Sequence, residues 1–322
     1  MVMLSIIIPF YNVEKYIAEC LDSVFNQDIS EKEYEVICVN DGSKDGSRNI
    51  VCGYMRNHSN LRLIDHPCNM KLGAARNTGR KSAKGKYIWY VDSDDMIASN
   101  CLKHILQVCE ERNLDVLEIC YVNRYEDMLD STSMHQMVRD DEIYTGPEYL
   151  EKFHVPYSIG GICGIWRKVY KHSFLDAYNI YSPPINLGED EAFAVEVFGL
   201  ANRVSYLGED YYFYRRNDGS LWGMSMNTWP VEKWYEQSII STKFLHEAFC
   251  KVKANYSMLA QQKIKEMIRY DATLWRNLGN NYEIEKQFWK RVRNNFWRNR
   301  FIFLYLSKRC KIEYVYKVLC LR

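Results

Sequence analysis

The chain is predicted to fold as an α/β protein on a doubly wound sheet with largely parallel strands. Two observations carry this reading. Five short apolar runs alternate with stretches of helical periodicity, joined by short connections. Polar residues also gather just after three of those runs, where such a sheet places its ligand crevice.

In chain order, Leu4-Ser5-Ile6-Ile7-Ile8 reads as a first buried strand that stops at Pro9. Asn12 is expected to cap a helix starting near Val13, with Ile17, Cys20, Leu21, Val24 and Phe25 on one face. Tyr34 to Val39 is a second strand, ending at Asn40-Asp41-Gly42-Ser43, with a short helix from Ser47 to Asn57. Leu61 to Ile64 is a third strand, and Leu72 to Ala83 a helix that Gly85 ends. Tyr87 to Val91 is a fourth strand of uninterrupted aromatic and β-branched residues. A helix from Cys101 to Glu111 leads to a fifth, Val116 to Tyr121.

Beyond it the pattern weakens, and residues 126–156 read as a polar loop over the sheet. Glu189-Asp190-Glu191 opens an apolar helix through Phe193, Val197 and Leu200. Arg203 to Leu207 and Tyr211 to Tyr214 read as two strands, and the rest as mostly helical. The expected division is 1–222 for the α/β unit and 223–322 for a helical, basic and aromatic region.

Composition excludes little but bounds much. The 322 residues are 47% hydrophobic and 26% charged, ordinary for a folded soluble chain with ample core. The net charge of +1 gives no field for nucleic acid. Eleven cysteines without a Cys-x-x-Cys pair suggest reduced thiols in a cytosol, with Cys38, Cys109 and Cys120 as small core residues. Leu4 to Ile8 is too short for a signal or a span, so a cytoplasmic location is expected. Lys286 to Arg322 holds eleven basic residues and one acidic, interleaved with aromatics. Two readings stand: peripheral contact with an anionic inner membrane face, or a helical pair packed on the main domain.

The chemistry centres on Asp92-Ser93-Asp94-Asp95. Three carboxylates in four residues repel one another and call for a cation, and hard oxygen donors suit Mg²⁺ or Mn²⁺ shared with substrate phosphates. The alternative is a polar turn in which Asp92 or Asp95 caps the next helix. There is no Gly-x-Gly-x-x-Gly after the first strand and no Gly-x-x-x-x-Gly-Lys-Ser/Thr, so dinucleotide oxidoreductases and P-loop ATPases fit poorly.

Four segments in order resemble the family 2 glycosyltransferases, inverting enzymes of the GT-A fold. They are Ile7-Ile8-Pro9-Phe10-Tyr11-Asn12, Val39 to Ser43 with Asp45-Gly46-Ser47, Leu72-Gly73-Ala74-Ala75-Arg76-Asn77-Thr78-Gly79, and Gly85 to Ile88 leading into Asp92 to Asp95. The resemblance runs from residue 4 to about 220 and implies a GT-A type mixed sheet. It puts a nucleotide-sugar donor, a UDP-sugar, on Pro9, Tyr11, Asp41, Arg76, Asp92 and Arg215, with Asp41 accepting the uracil N3–H. It puts a Mn²⁺ or Mg²⁺ ion on Asp94 and Asp92, with Asp95 assisting or capping. Glu189-Asp190 matches the pair that carries the catalytic base, which is assigned to Asp190 with Glu191 as its rival. Trp166, Lys168 and Glu189 fall on the acceptor side, where Trp166 either stacks on a sugar or fills the core. Tyr214-Arg215-Arg216 with Gly219-Ser220 matches a segment closing over the diphosphate.

The chain lacks the Gln-x-x-Arg-Trp of processive synthases, which favours transfer of one sugar to a saccharide or lipid-linked saccharide in cell-surface polysaccharide synthesis. Two alternatives remain: a sugar-nucleotide nucleotidyltransferase, or a non-catalytic partner in a polysaccharide-assembly complex.

Overall fold

The computed structural model describes residues 1–124, 142–154, 163–186, 188–216 and 231–262 except 259, together with positions 129–130, 265 and 304. The first half alternates strand and helix as the periodicity requires: β1 (Leu4–Phe10), α1 (Ile17–Phe25), β2 (Tyr34–Asn40), α2 (Ser47–Tyr54), β3 (Leu61–Asp65), α3 (Leu72–Ser82) and β4 (Tyr87–Tyr90). After it come β5 (Met96–Ile97), α4 (Leu102–Glu111), β6 (Val116–Arg124) and β7 (Leu129–Asp130). Then follow α5 (Gly146–Tyr149), β8 (Lys168–Lys171), α6 (His172–Ala177), α7 (Glu189–Leu200), β9 (Val204–Arg215) and α8 (Val231–Val252).

The sheet runs β3-β2-β1-β4-β8-β6-β9-β5, with β7 on β6. β1 to β4 are mutually parallel, while β8 lies antiparallel between β4 and β6. The sheet is therefore mixed, and the fifth predicted strand does not neighbour the fourth. The separation is made by β8, a four-residue strand too short to leave a periodic signal.

Helices cover both faces, so every residue of β1 and β2 is buried. One apolar cluster joins α1, α2 and α4 to Ile6, Trp89 and Leu117. The other joins α3, α6, α7 and α8 to Ile7, Tyr90 and Val116. Cys38, Cys109 and Cys120 lie in these clusters as buried free thiols. Leu245, Ala248, Phe249 and Val252 of α8 share the core of the α/β unit.

Several boundaries differ from expectation for identifiable reasons. β1 continues through Pro9 to Phe10. The Ile7 carbonyl accepts from Val91 N, so Ile7 and, by alternation, Pro9 face β4, whose ladder ends at the Ile7–Tyr90 pair. The missing N–H therefore costs no ladder bond. Asn12 does not cap a helix. It is left-handed (φ 53°), its Oδ1 accepts from Lys44 N at 2.8 Å, and α1 begins four residues after Val13 with Tyr16 at its cap. The two strands expected at 203–207 and 211–214 are one, β9, whose register against β6 shifts near Cys120. The expected loop at 126–156 contains α5, started by a capping box in which Thr145 and Glu148 satisfy each other's backbone N–H. Gly219-Ser220 and, apart from position 304, Lys286 to Arg322 lie outside the described residues.

Candidate functional site

The site is built at the carboxyl ends of β1, β2 and β4. After β4 the chain turns through Asp92, closed by Asp95 N donating to the Asp92 carbonyl at 3.1 Å. Tyr212 of β9 braces this turn: its hydroxyl donates to Asp95 Oδ2 at 2.7 Å and accepts from Asp92 N at 3.2 Å. Arg215 N donates to Asp95 Oδ1 at 2.8 Å. Burial, then the charges of Asp94 and Asp92, push the Asp95 carboxyl well above the usual carboxylate range. Asp95 thus serves as the buried support of the turn, while the Asp92 side chain is 24% exposed and Asp94 is half-buried.

Helix α3 brings the second acidic motif to the first. Gly73 has no room for a side chain, since a Cβ there would lie 1.7 Å from the Pro183 carbonyl oxygen. The small residues of this helix therefore admit another part of the chain. Leu72 N donates to Asn186 Oδ1 at 3.1 Å, and Asn77 exchanges two bonds with the Ser182 backbone at 2.7 and 3.0 Å. This docks the segment leading into α7, which starts after Gly188 in a left-handed conformation (φ 78°) that suits glycine.

Arg76, only 2% exposed, joins the two motifs. Its Nη1 donates to Glu189 Oε1 at 2.8 Å and its Nη2 to Asp92 Oδ1 at 3.0 Å. Its Nε is buried without a hydrogen-bond partner among the described residues. Burial works against the guanidinium charge, but Asp92, Glu189 and Asp190 overcome it and hold the proton more tightly than usual. Burial and the Asp190 charge push Glu189 up to about 8, with Arg76 pulling it back. Asp190 is also raised, chiefly by burial, and Arg76 opposes the rise. Its Oδ1 accepts from Glu191 N at 3.0 Å, in the first turn of α7. A carboxylate at a helix N-terminus with a pKa moved towards neutrality is suited to take a proton from a hydroxyl.

The other expected nucleotide residues line the neighbouring strand ends. Pro9 sits in β1 opposite Val39, and Tyr11 follows it with 44% of its surface open. Asp41 is buried just after β2, where Oδ1 accepts from Met70 N at 2.7 Å and Oδ2 from Lys71 N at 3.0 Å. Asn12 N donates to Ser43 Oγ at 3.1 Å, so the loops after β1 and β2 are tied together.

Arg215 lies by the acidic turn, with Nε donating to the Asp94 carbonyl at 2.8 Å and Nη2 paired with Glu19. Arg124 binds the other Glu19 oxygen at 2.8 Å. Neither Glu19 nor Arg124 was singled out from the sequence, and their partners are far away in the chain. Arg216 instead donates to Asn123 Oδ1 at 2.9 Å.

Trp166 is half-buried in an aromatic group, stacked on Tyr212 and Tyr214 with ring centroids 4.5 and 5.1 Å away. Lys168 is buried, its Nζ donating to the Gly164 carbonyl at 2.9 Å. Burial lowers its pKa to about 8, and Arg167 adds to the drop while Glu118 opposes it. Arg167 pairs with Glu118 of β6 beneath it.

Among the described residues no group of three or more His, Cys, Asp or Glu side chains is gathered to hold a metal ion. None of the described helices is long and apolar enough to cross a membrane.

Comparison with known proteins gives three findings. The model of glycosyl transferase family 2 matches residues 5–174. An uncharacterized glycosyltransferase, EpsJ of Bacillus subtilis, is 34% identical over 220 residues, covering 68% of this chain and 62% of that protein. The poly(ribitol-phosphate) beta-glucosyltransferase of Bacillus spizizenii is 32% identical over 236 residues, covering 72% of this chain and 35% of that protein. The match thus spans less than two thirds of either relative. Among solved structures, Staphylococcus aureus TarS 1–349 in complex with UDP-GlcNAc superposes with a TM-score of 0.67 at 24% identity, covering 98% of this chain and 87% of that one. At that identity the likeness speaks for a shared GT-A fold.

Proposed function

The chain belongs to glycosyl transferase family 2, and on that premise we propose that it moves one sugar from a UDP-sugar to a hydroxyl of a saccharide or lipid-linked saccharide, with inversion. The observation that carries the reading is the Asp92–Arg76–Glu189 chain of contacts, which unites acidic motifs far apart in sequence at the mouth of the sheet. The relative that glucosylates poly(ribitol-phosphate) and the UDP-GlcNAc bound to TarS support a cell-surface polymer acceptor and a uridine donor.

Asp190 takes the acceptor proton, and the acceptor oxygen attacks the anomeric carbon on the face opposite the leaving diphosphate. Arg76 keeps Glu189 beside Asp190 and so fixes the start of α7 relative to the Asp92 turn. Pro9, Tyr11 and Asp41 hold the nucleoside. Arg215, placed at the Asp94 carbonyl, faces the diphosphate as its charge develops. Trp166 and Lys168 shape the acceptor side, Lys168 from below by fixing the Gly164 carbonyl.

Asp94 and Asp92 would hold Mn²⁺ or Mg²⁺. Their hard oxygens on one turn fit an ion that keeps open positions for waters and phosphates, and they do not form an all-protein cage. Such an ion, when bound, neutralises charge on the leaving diphosphate.

In this reading residues 1–222 carry the transfer site. Residues 223–322 extend it, and the basic tail at 286–322 touches an anionic inner membrane face. Flotation with anionic liposomes that fades with salt would support that contact; a protein that stays behind at low salt would remove it. The transfer itself is tested by a donor screen for UDP release, with and without saccharide acceptors. Acceptor-stimulated release from one UDP-sugar is expected. Release from none of them, in Mn²⁺ or Mg²⁺, would overturn the reading.

A further inference from the structure

The base side of the site is more ordered than one carboxylate needs. Asp41 and His66 are both buried, with His66 Nδ1 2.7 Å from Asp41 Oδ1. The other ring nitrogen, Nε2, lies 2.9 Å from Thr78 Oγ1 on α3. An ionised carboxylate can only accept, so His66 donates through Nδ1. In the neutral ring this leaves Nε2 bare, and it accepts the Thr78 hydroxyl proton.

Counting lone pairs then decides what Asp41 can still read. Each carboxylate oxygen accepts about two hydrogen bonds. Oδ1 takes His66 and Met70 N, both at 2.7 Å, and is full. Among the described residues Oδ2 takes only Lys71 N, at 3.0 Å, and keeps one acceptor position.

We propose that His66 is a positioning residue for donor-base choice: by saturating Asp41 Oδ1 it leaves a single acceptor, which selects uracil over guanine. The inference rests on the UDP-sugar reading above and adds the means of discrimination. Uracil offers one ring N–H flanked by two carbonyl oxygens, and one open lone pair serves it. Guanine offers two adjacent donors, the ring N1–H and the exocyclic amine, and pairs best with a carboxylate open at both oxygens. Here its amine would face a saturated Oδ1 and stay unpaired in a buried place. Cytosine brings a bare ring nitrogen against the carboxylate and is refused by repulsion.

The test is calorimetry of UDP and GDP on the full chain, with kinetics on the UDP-sugar that the donor screen identifies. Wild type is expected to bind UDP at least about tenfold tighter than GDP. His66→Leu removes the donor to Oδ1. UDP affinity should fall about tenfold, GDP less, and KM should rise with kcat at saturation held. His66→Asn returns an amide N–H near the Nδ1 position and should restore most of the UDP preference. Nitrogen-15 NMR of wild type should show the Nδ1–H tautomer. An unchanged UDP-to-GDP ratio in folded His66→Leu, or an Nε2–H tautomer, overturns the inference while leaving the UDP-sugar reading intact. If His66→Leu does not fold, the asparagine variant and the tautomer decide. Wild type that binds GDP and not UDP overturns both.

Discussion

Replacing Arg76 by methionine tests the joint on which the site is built. The substitution keeps the apolar stem and removes two charge-assisted bonds, at 2.8 Å to Glu189 and 3.0 Å to Asp92. Taking one partner from a buried ion pair costs about 3–5 kcal/mol. The two contacts do not share that cost equally. Asp92 is partly exposed, so water re-screens much of its lost partner. Glu189 is buried and bears most of the loss. It has an escape, because burial already raises its pKa and the loss of Arg76 raises it further, so it can take up a proton. The low end, about 3 kcal/mol, is therefore expected, or roughly 4–5 °C in melting temperature for a chain of this size. Thermal and urea unfolding measure it. Adding Glu189→Gln should recover part of the loss, since no buried carboxyl then has to be protonated. Arg76→Lys should fold but reach only one of the two acids, with kcat/KM down about tenfold or more by UDP release. Two results would refute the reasoning: Arg76→Met melting within about 1 °C of wild type, or strictly additive effects in the double variant.

Three further outcomes are expected. Asp190→Asn should lower kcat by about 10²–10⁴ with UDP affinity unchanged; if Glu191→Gln does this and Asp190→Asn does not, the base is one residue further on. Asp94→Ala should abolish turnover and weaken UDP binding in Mn²⁺, and full activity of that variant would exclude Asp94 from holding the ion. Lys168 has its pKa lowered by burial from 10.5 to about 8, so above pH 8 the folded protein sheds a proton that the unfolded chain retains. Stability should gain from this group as pH rises from about 8 towards 10.5, and Lys168→Met should flatten that rise in urea titrations; equal slopes in both proteins would show that the buried amine is not its source.

The fold was legible wherever local pattern and burial agree. Tyr87 to Val91 could only be an interior strand, and the β1 and β2 runs are apolar throughout because helices cover both faces of the sheet. Legibility failed where pairing is long-range. Nothing near Lys168 announces that four residues will insert antiparallel between β4 and β6. Gly208-Glu209-Asp210 looks like a break, yet a register shift against β6 absorbs it. Pro9 reads as a stop by its chemistry alone, and only the length of β4 beside it shows that its missing donor has no ladder partner to serve.

The site divides in the same way. The residues that carry charge could be named from the sequence, but not the residues that hold them. The resemblance put Arg76 against the nucleotide, and the sequence left open what fills the space beside Gly73. In the structure the space is taken by the Pro183 backbone, and Arg76 is taken by two acids. Helix geometry explains why one short stretch does so much. Successive residues point about 100° apart, so Arg76, Asn77 and Thr78 reach three different neighbours: the acid pair, the Ser182 segment leading to α7, and the His66–Asp41 pair. Gly79 then lets the helix lie against Ile7 of β1, where a Cβ would come within 2.3 Å. A helix whose consecutive positions are each committed to a separate contact cannot show a clean apolar stripe. Its sequence therefore under-reports its burial, and its substitutions should disturb base reading and base catalysis together, although no catalytic atom belongs to it.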